Sequence, residues 1–426
     1  MEENQKHIPE GWQVKQVQEF ALKMRSGGTP KSDNPNYYNG EIPFVAIDDL
    51  TSANKYLAQT QKHITKEGLN NSAAWIVPVN TIMYSIYATL GVPRINVIEA
   101  ATNQAILNII PDETKISLEF LYYLLLEKRG SILAHSSHTT QSNLNAKIVK
   151  ELEFIFPKKL TEQTAIATIL SKVDEAIAQT EQLIAKYTRI KTGLMQDLLT
   201  KGIDENGNIR SEETHEFKDS PLGRIPKEWE CVEIGSITKS LVPGRNKPKA
   251  FNGDIPWITT PDFEGIYLEK SKLSLGLTKE EIKKCGNKVI PKNSIVMTCV
   301  GELGICAVNL KEITINQQLH SFVPNDKSNP YFLMFIISNS KQYFQKIVAT
   351  NVVPYMNKKN CESILVISTE LNEQNKIVEI LIKADEAIEK YKKELSKLQS
   401  LKTGLMQDLL SGKVRVNHLI KETASV

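Results

Sequence analysis

A nine-residue phrase, Lys-Thr-Gly-Leu-Met-Gln-Asp-Leu-Leu, occurs twice in this chain, at Lys191–Leu199 and Lys402–Leu410, an offset of 211 (402 − 191). The same offset relates Asp174-Glu175-Ala176-Ile177 to Asp385-Glu386-Ala387-Ile388, and Thr161-Glu162-Gln163 to Asn372-Glu373-Gln374. Two residues more of shift bring Gly40-Glu41-Ile42-Pro43-Phe44 onto Gly253-Asp254-Ile255-Pro256-Trp257, and Asn103-Gln104 onto Asn316-Gln317. A chain made of two copies of one plan folds as a tandem object, and its function lies in the relation between the copies.

At 426 residues the chain accommodates two units of roughly 150 residues, each large enough to bury a core of its own. With 41% hydrophobic residues, a polar N-terminus and no apolar run of membrane-spanning length, the sequence predicts neither a membrane span nor a signal peptide. Five cysteines, all beyond residue 230 and none in a CxxC pair, argue for a reducing cytoplasm and against a disulfide framework. Seven scattered histidines give no zinc pattern. A net charge of +3 permits nucleic acid without requiring it.

Beyond the strand-like segment Phe154–Pro157 the hydrophobic period changes. Ile166, Leu170, Val173, Ile177, Ile184, Tyr187, Leu194 and Leu198 follow a 4-3 spacing, interrupted at Thr180 and Lys191. In the second copy the series is Ile377, Leu381, Ala384, Ile388, Tyr391, Leu395, Leu398, Leu405 and Leu409, interrupted at Lys402. Each is a coiled-coil seam of about five heptads. Thr161 and Asn372 are expected as N-caps, Gly202 and Gly412 as C′ residues. Each helix is then about 60 Å long, and antiparallel pairing is the economical arrangement, with the chain termini close together. The helix middles differ between copies while the ends agree, down to Gly193/Gly404, Gln196/Gln407 and Asp197/Asp408. A glycine inside a helix costs about 1 kcal/mol relative to alanine. Two readings follow: a tight crossing of the two helices, or an added contact with a partner protein.

The lobes read as α+β. Strands are expected at Ile82–Ser85 and Ala105–Ile110 with an amphipathic helix over Phe120–Lys128, then at Ser294–Thr298 and Ile313–Ile315 with a helix over Tyr331–Ser338. Glycine turns, Thr89-Leu90-Gly91 and Glu302-Leu303-Gly304, lie between the matched strands. The loops diverge: Arg25–Ser32 stands against Lys239–Lys249, which holds four cations and no acid, and His135–Asn145 against Thr350–Asn357. Loops rich in cations, hydroxyls and amides suit phosphates and base edges. A shared scaffold bearing unlike polar loops suggests two binding modules tuned to different targets.

Catalytic constellations do not emerge. Gly27–Ser32 ends like a P-loop but lacks its glycine spacing, and Asn34–Tyr37 superficially resembles a methyltransferase motif without a cofactor turn before it. Pro111–Lys115 crowds two carboxylates into one turn, which suits two-metal chemistry poorly. His135 and His138 have no neighbouring nucleophile. All are read as loops.

The helix endings KTGLMQDLLTKG and KTGLMQDLLSGKV, the phrase Phe217–Trp229 (FKDSPLGRIPKEW), its shortened form Ile8–Trp12, and SGGTP followed by GEIPF carry a resemblance over essentially the whole chain. The sequence resembles the specificity subunits of type I restriction-modification systems. That resemblance implies a pseudo-two-fold α+β tandem repeat, in which two similar globular target-recognition domains are separated by two long antiparallel coiled-coil helices. The expected segments are 1–159 and 217–370 for the domains, 160–201 and 371–411 for the helices, 202–216 for a linker and 412–426 for a tail. It further implies a cytoplasmic, non-catalytic component that recognises an asymmetric bipartite site on double-stranded DNA. Its partners would be two modification (methyltransferase) subunits that methylate adenine, and restriction (translocase and nuclease) subunits. S-adenosylmethionine, ATP and magnesium would serve those partners, and no cofactor or metal this chain. Expected DNA contacts are Thr29, Lys31, Tyr87, Thr89, Thr140 and Gln141 in the first lobe, and Arg245, Lys247, Lys249, Glu302, Asn351 and Tyr355 in the second. Partner docking falls to Gly193, Gln196, Asp197, Gly404, Gln407 and Asp408. The competing reading is a coiled-coil scaffold whose lobes bind proteins.

Overall fold

The structure, a computed structural model, describes residues 8–136, 144–340, 344 and 354–423. The chain divides into two compact units, Met1–Glu181 with Lys393–Val426, and Gln182–Lys392. The first long helix, Leu160–Leu198, and the second, Leu371–Leu410, each contribute a stretch to both units.

In the first unit the strands are β1 (Trp12–Gln16), β2 (Ala21–Ser26), β3 (Tyr38–Val45), β4 (Tyr56–Leu57), β5 (Lys62–Ile64), β6 (Ile82–Ser85), β7 (Pro93–Asn96), β8 (Ala101–Thr102), β9 (Ile106–Pro111) and β10 (Glu153–Pro157). They form a five-stranded sheet in the order β2-β9-β6-β7-β4, a three-stranded sheet β5-β3-β8, and the pair β1-β10. The central strand β6, Ile-Met-Tyr-Ser, is buried at all four positions, as a strand covered on both faces must be. The helix Leu118–Ser136 packs on this sheet. It was expected to be amphipathic, but Phe120–Leu125 are all buried, so this stretch is covered on every side.

The second unit repeats the plan. Its strands are β11 (Phe217–Ser220), β12 (Gly223–Pro226), β13 (Glu230–Glu233), β14 (Thr238–Leu241), β15 (Ile255–Ile258), β16 (Tyr267–Leu268), β17 (Gly276–Leu277), β18 (Ile295–Thr298), β19 (Cys306–Asn309), β20 (Thr314–Ile315), β21 (Leu319–Pro324) and β22 (Leu365–Ser368). The five-stranded sheet runs β14-β21-β18-β19-β16, the three-stranded sheet β17-β15-β20, and β13 pairs with β22. The strand β21 escaped the sequence reading, since Leu319-His320-Ser321 interrupts the apolar run. The hairpin β11-β12 has no described counterpart in the first unit.

Buried polar residues repeat at an offset of 213 and fix the turns of both lobes. Asn96 accepts from Thr81 N–H at 2.7 Å and donates to the carbonyls of Pro78 and Ile98, while Asn309 accepts from Ser294 N–H at 2.8 Å and donates to those of Pro291 and Lys311. Ser85 donates to the Thr89 carbonyl and accepts from Val92 N–H, and Thr298 does the same with Glu302 and Ile305. Each such group satisfies loop backbone that would otherwise be buried unpaired.

The long helices begin at Leu160 and Leu371, so Thr161 and Asn372 lie inside the first turn rather than capping it. The next two residues of each triplet hold the helix to its lobe. Gln163 accepts from Ser117 N–H at 2.8 Å and donates to the Pro157 carbonyl at 2.9 Å, while Gln374 accepts from Asn329 N–H at 2.8 Å and donates to the Thr369 carbonyl at 2.7 Å. Glu162 takes a two-pronged contact from Arg415, whose guanidinium also reaches the Glu10 carbonyl at 2.9 Å, which brings the two ends of the chain together. Glu373 accepts from Arg210, Ile203 N–H, Trp229 and Thr369. Gly202 and Gly412 adopt the left-handed conformation expected of them (φ 66° and 74°).

Within each unit the two helix stretches run antiparallel. In the first, Asp174 pairs with Lys402 and Glu162 with Arg415; in the second, Tyr187 stacks on Tyr391 at 5.4 Å and Lys191 pairs with Asp385. The outer seam residues do not stay between the helices. Ile166, Leu170 and Leu409 join the core of the first lobe, and Leu198, Ile377 and Leu381 that of the second. The first unit adds a polar junction: Lys55 donates to Ser171 at 2.8 Å and to Tyr123 at 3.3 Å and pairs with Glu119, while Tyr123 donates to Asp174 at 2.7 Å. In the second unit the corresponding positions of Lys55, Tyr123 and Ser171 hold Ile266, Phe335 and Ile382.

Candidate nucleic-acid interface

Strand polarity gathers the divergent loops. In the first lobe β9 runs antiparallel to both β2 and β6, with Ser26 opposite Leu107 and Ser85 opposite Ile106. The ends of β2 and β6 and the start of β9 therefore meet at one end of the sheet, where segments 27–37, 86–92 and 103–105 emerge. In the second lobe Leu241 opposite Ser321 and Thr298 opposite Leu319 bring 242–254, 299–305 and 316–318 to the equivalent end.

These segments are cross-tied. Gly28 N–H donates to the Thr102 carbonyl at 2.9 Å, Thr29 bonds to Gln104, and Ile86 N–H donates to the Ala105 carbonyl at 2.9 Å. Across the second edge Gln317 donates to the Gly244 carbonyl at 2.8 Å, and Gly301 N–H to the Pro354 carbonyl at 2.9 Å. A Cβ on Gly27 would stand 1.9 Å from the Thr102 carbonyl oxygen, and one on Gly244 2.3 Å from that of Cys285, so both close approaches require glycine.

Thr29, Lys31, Tyr87 and Thr89 thus share the edge of the first lobe; Lys31 and Tyr87 are exposed, and Thr89 faces outward in part. Arg245, Lys247, Lys249, Glu302 and Tyr355 share that of the second and are all exposed. Tyr355 bridges to Val300, which sets it beside the turn bearing Glu302. The Lys249 N–H is held by Glu281 at 2.6 Å. Thr140, Gln141 and Asn351 lie outside the described residues.

The sequence reading missed further cations. Gly244 packs on the end of the helix Lys279–Cys285, so Lys283 and Lys284, both exposed, adjoin the basic loop. In the first lobe Lys23 lies 4.2 Å and Arg25 5.6 Å from the Trp75 ring centroid, and the Trp75 indole N–H donates to the Ser26 carbonyl at 3.2 Å. No motif in the sequence joins Trp75 to these residues. His320 adds no charge near neutral pH, because burial lowers its imidazolium to about 4.

The docking set forms two equivalent stripes. Positions 193, 196 and 197, like 404, 407 and 408, share one helix face. Gly193, Gln196 and Gln407 are exposed, and Asp197, Gly404 and Asp408 partly so. An added Cβ on either glycine meets nothing within 4 Å, which overturns the tight crossing: the helices meet on other faces, and these glycines look outward. Asp197 pairs with Lys201 and Asp408 with Lys413.

The model of the type I restriction modification DNA specificity domain matches residues 9–189 and again 226–399. The chain belongs to that family, whose members are the non-catalytic, DNA-recognising components of type I restriction-modification complexes. It is 24% identical to the MjaVIII specificity subunit of Methanocaldococcus jannaschii, covering 97% of this chain and 95% of that one. A crystal structure of the S subunit from M. genitalium shares the fold with a TM-score of 0.60 at 18% identity, covering 96% and 97% of the two chains. A structure described under complex assembly and conformational transition of the type I system gives 0.56 at 15% identity, covering 96% and 100%. The tandem α+β plan read from the sequence is that of this family. Among the described residues no helix is long and apolar enough to cross a membrane, and no group of three metal-binding side chains converges.

Proposed function

We propose that each lobe reads one half of an asymmetric, bipartite site on double-stranded DNA through the loops gathered at its sheet edge. The observation carrying this reading is that two lobes of one topology present unlike polar loops at equivalent edges. The long helices set the gap between the half-sites, and the exposed stripes at 193–197 and 404–408 receive two modification subunits that methylate adenine. Restriction subunits join the same complex in the cytoplasm. S-adenosylmethionine, ATP and magnesium serve the partner subunits.

Methylome sequencing of a host expressing this chain with its modification subunit, beside a host lacking it, tests the reading. A new split, asymmetric methylated motif is expected. A stable complex that yields no motif would instead favour a scaffold whose lobes bind protein. One helical turn inserted within 178–186 should change the gap by about one to two base pairs, from 5.4 Å per turn and 3.4 Å per base pair.

A further inference from the structure

The two lobes differ in their loops but agree at one exposed rung just before them. Lys23 of β2 stands opposite Ile110, and Lys239 of β14 stands opposite Val323. Ile110 and Val323 are equivalent, since Pro111 and Pro324 follow them on matched strands. The register of β2 shifts between Ala21 and Lys23, an irregularity absent from β14, yet a lysine falls on the same rung in both. Both lysines are exposed, and among the described residues neither has a carboxylate within 4.0 Å. In the first lobe a second cation, Arg25, shares the Trp75 ring with Lys23. The second lobe has Lys288 where the first has Trp75; each lies two residues before an equivalent bridge, Val77 to Ala100 and Ile290 to Ile313.

We propose that Lys23 and Lys239 are the equivalent phosphate contacts of the two lobes, gripping the DNA backbone at the same place on each sheet while the unlike loops beyond them read bases. A contact common to lobes with different targets cannot carry sequence information, and phosphate contacts carry none. This assignment rests on the DNA-reading function above. The edge position of β2 and β14 gives the competing role of a guard against strand pairing.

Lys23→Gln and Lys239→Gln, singly and together, are to be made in the full chain purified with its modification subunits. Binding is measured on a duplex carrying the motif found by methylome sequencing, across a range of salt. Each substitution should weaken binding about 5–10-fold near 0.1 M salt and reduce the slope of log K against log salt by about 1, with the methylated motif unchanged. Lys23→Arg and Lys239→Arg should keep the wild-type slope. An unchanged slope, or self-association alone, would overturn the assignment in favour of the edge guard. A changed motif would overturn it in favour of base reading. A wild-type complex that binds no motif removes the DNA-reading function itself, which the wild-type control shows separately.

Discussion

Lys191 on the first long helix pairs with Asp385 on the second at 2.5 Å, and the same contact is made by Lys402 with Asp174 at 2.6 Å. The lysines open the repeated KTGLMQDLL phrase and the aspartates open the repeated DEAI phrase. Each phrase thus finds its partner in the other copy. The agreement of the helix ends, which on sequence alone allows a crossing of the helices or a contact with a partner protein, has an intramolecular cause at these positions.

Both side chains of each pair are about one-fifth exposed, so breaking a pair leaves a poorly solvated charge. Lys191→Ala should destabilise the second unit by about 1–2 kcal/mol. The exchanged pair, Lys191→Asp with Asp385→Lys, should recover part of that loss. Amide hydrogen exchange over residues 182–192 and 385–392 reports both; equal exchange in the wild type and Lys191→Ala would show the pair to be idle.

Leu198 and Leu409 are buried at equivalent helix positions but in different cores. Leu198→Ala should destabilise the second unit, and Leu409→Ala the first, by about 2–5 kcal/mol each. Limited proteolysis should expose cleavage sites in the affected unit alone.

Burial would raise the Glu373 carboxyl, but hydrogen bonds from Arg210, Thr369, Trp229 and the Ile203 N–H outweigh it and hold the group below its ordinary 4.5. A carboxylate with a depressed folded pKa stabilises above its unfolded value, and that contribution is lost as pH falls from there through the folded value. The second unit should therefore weaken below about pH 4.5. Glu373→Gln, which leaves Arg210 only its pair with the half-exposed Glu228 at 3.0 Å, should cost about 1–3 kcal/mol at neutral pH and flatten the acid dependence. Unfolding in urea at pH 3.5, 4.5 and 7 measures both.

Lys55 behaves oppositely. Burial lowers its ammonium from 10.5 to about 8, partly opposed by Asp174. Its charged form is disfavoured in the fold, so the penalty is full below pH 8 and fades as pH rises toward 10.5. Between pH 8 and 9.5, before tyrosine ionisation intervenes, the first unit should gain stability, and Lys55→Met should remove that gain. Thermal unfolding across this range checks the sign.

Tyr355 and Glu302 occupy one edge of one lobe. If that edge reads DNA, Tyr355→Ala should relax the second half of the methylated motif and leave the first intact, with about 1–3 kcal/mol lost at the affected base pair. Arg245→Ala should weaken binding to the cognate duplex. Methylome sequencing and duplex titration read these two effects.

The tandem plan, the long helices and strands such as Ile82–Ser85 were legible because repetition and hydrophobic period are written locally. The strand β21 was not, because His320, held by Ser240 at 2.9 Å, and Ser321, both buried, broke its apolar pattern. The match of Lys23 with Lys239 was hidden as well: Lys23 to Ile42 spans 19 residues (42 − 23) but Lys239 to Ile255 only 16 (255 − 239), so their offset is 216 (239 − 23) while the neighbouring strands keep 213. Trp75 stands beside Ser26 through sheet pairing alone, and such proximity leaves no trace in sequence spacing. The helix glycines were legible as unusual but not as outward-facing, since only tertiary contacts tell which face is free.

The crosswise pairing of Lys191 with Asp385 and of Lys402 with Asp174 also restrains how this gene can vary. A charge change in one KTGLMQDLL phrase is compensated only about two hundred codons away, in the opposite half. The two halves therefore drift as a pair at their helix ends while their sheet edges are free to diverge. A foreign lobe bearing the same lysine and aspartate could replace either one without disturbing the fastening.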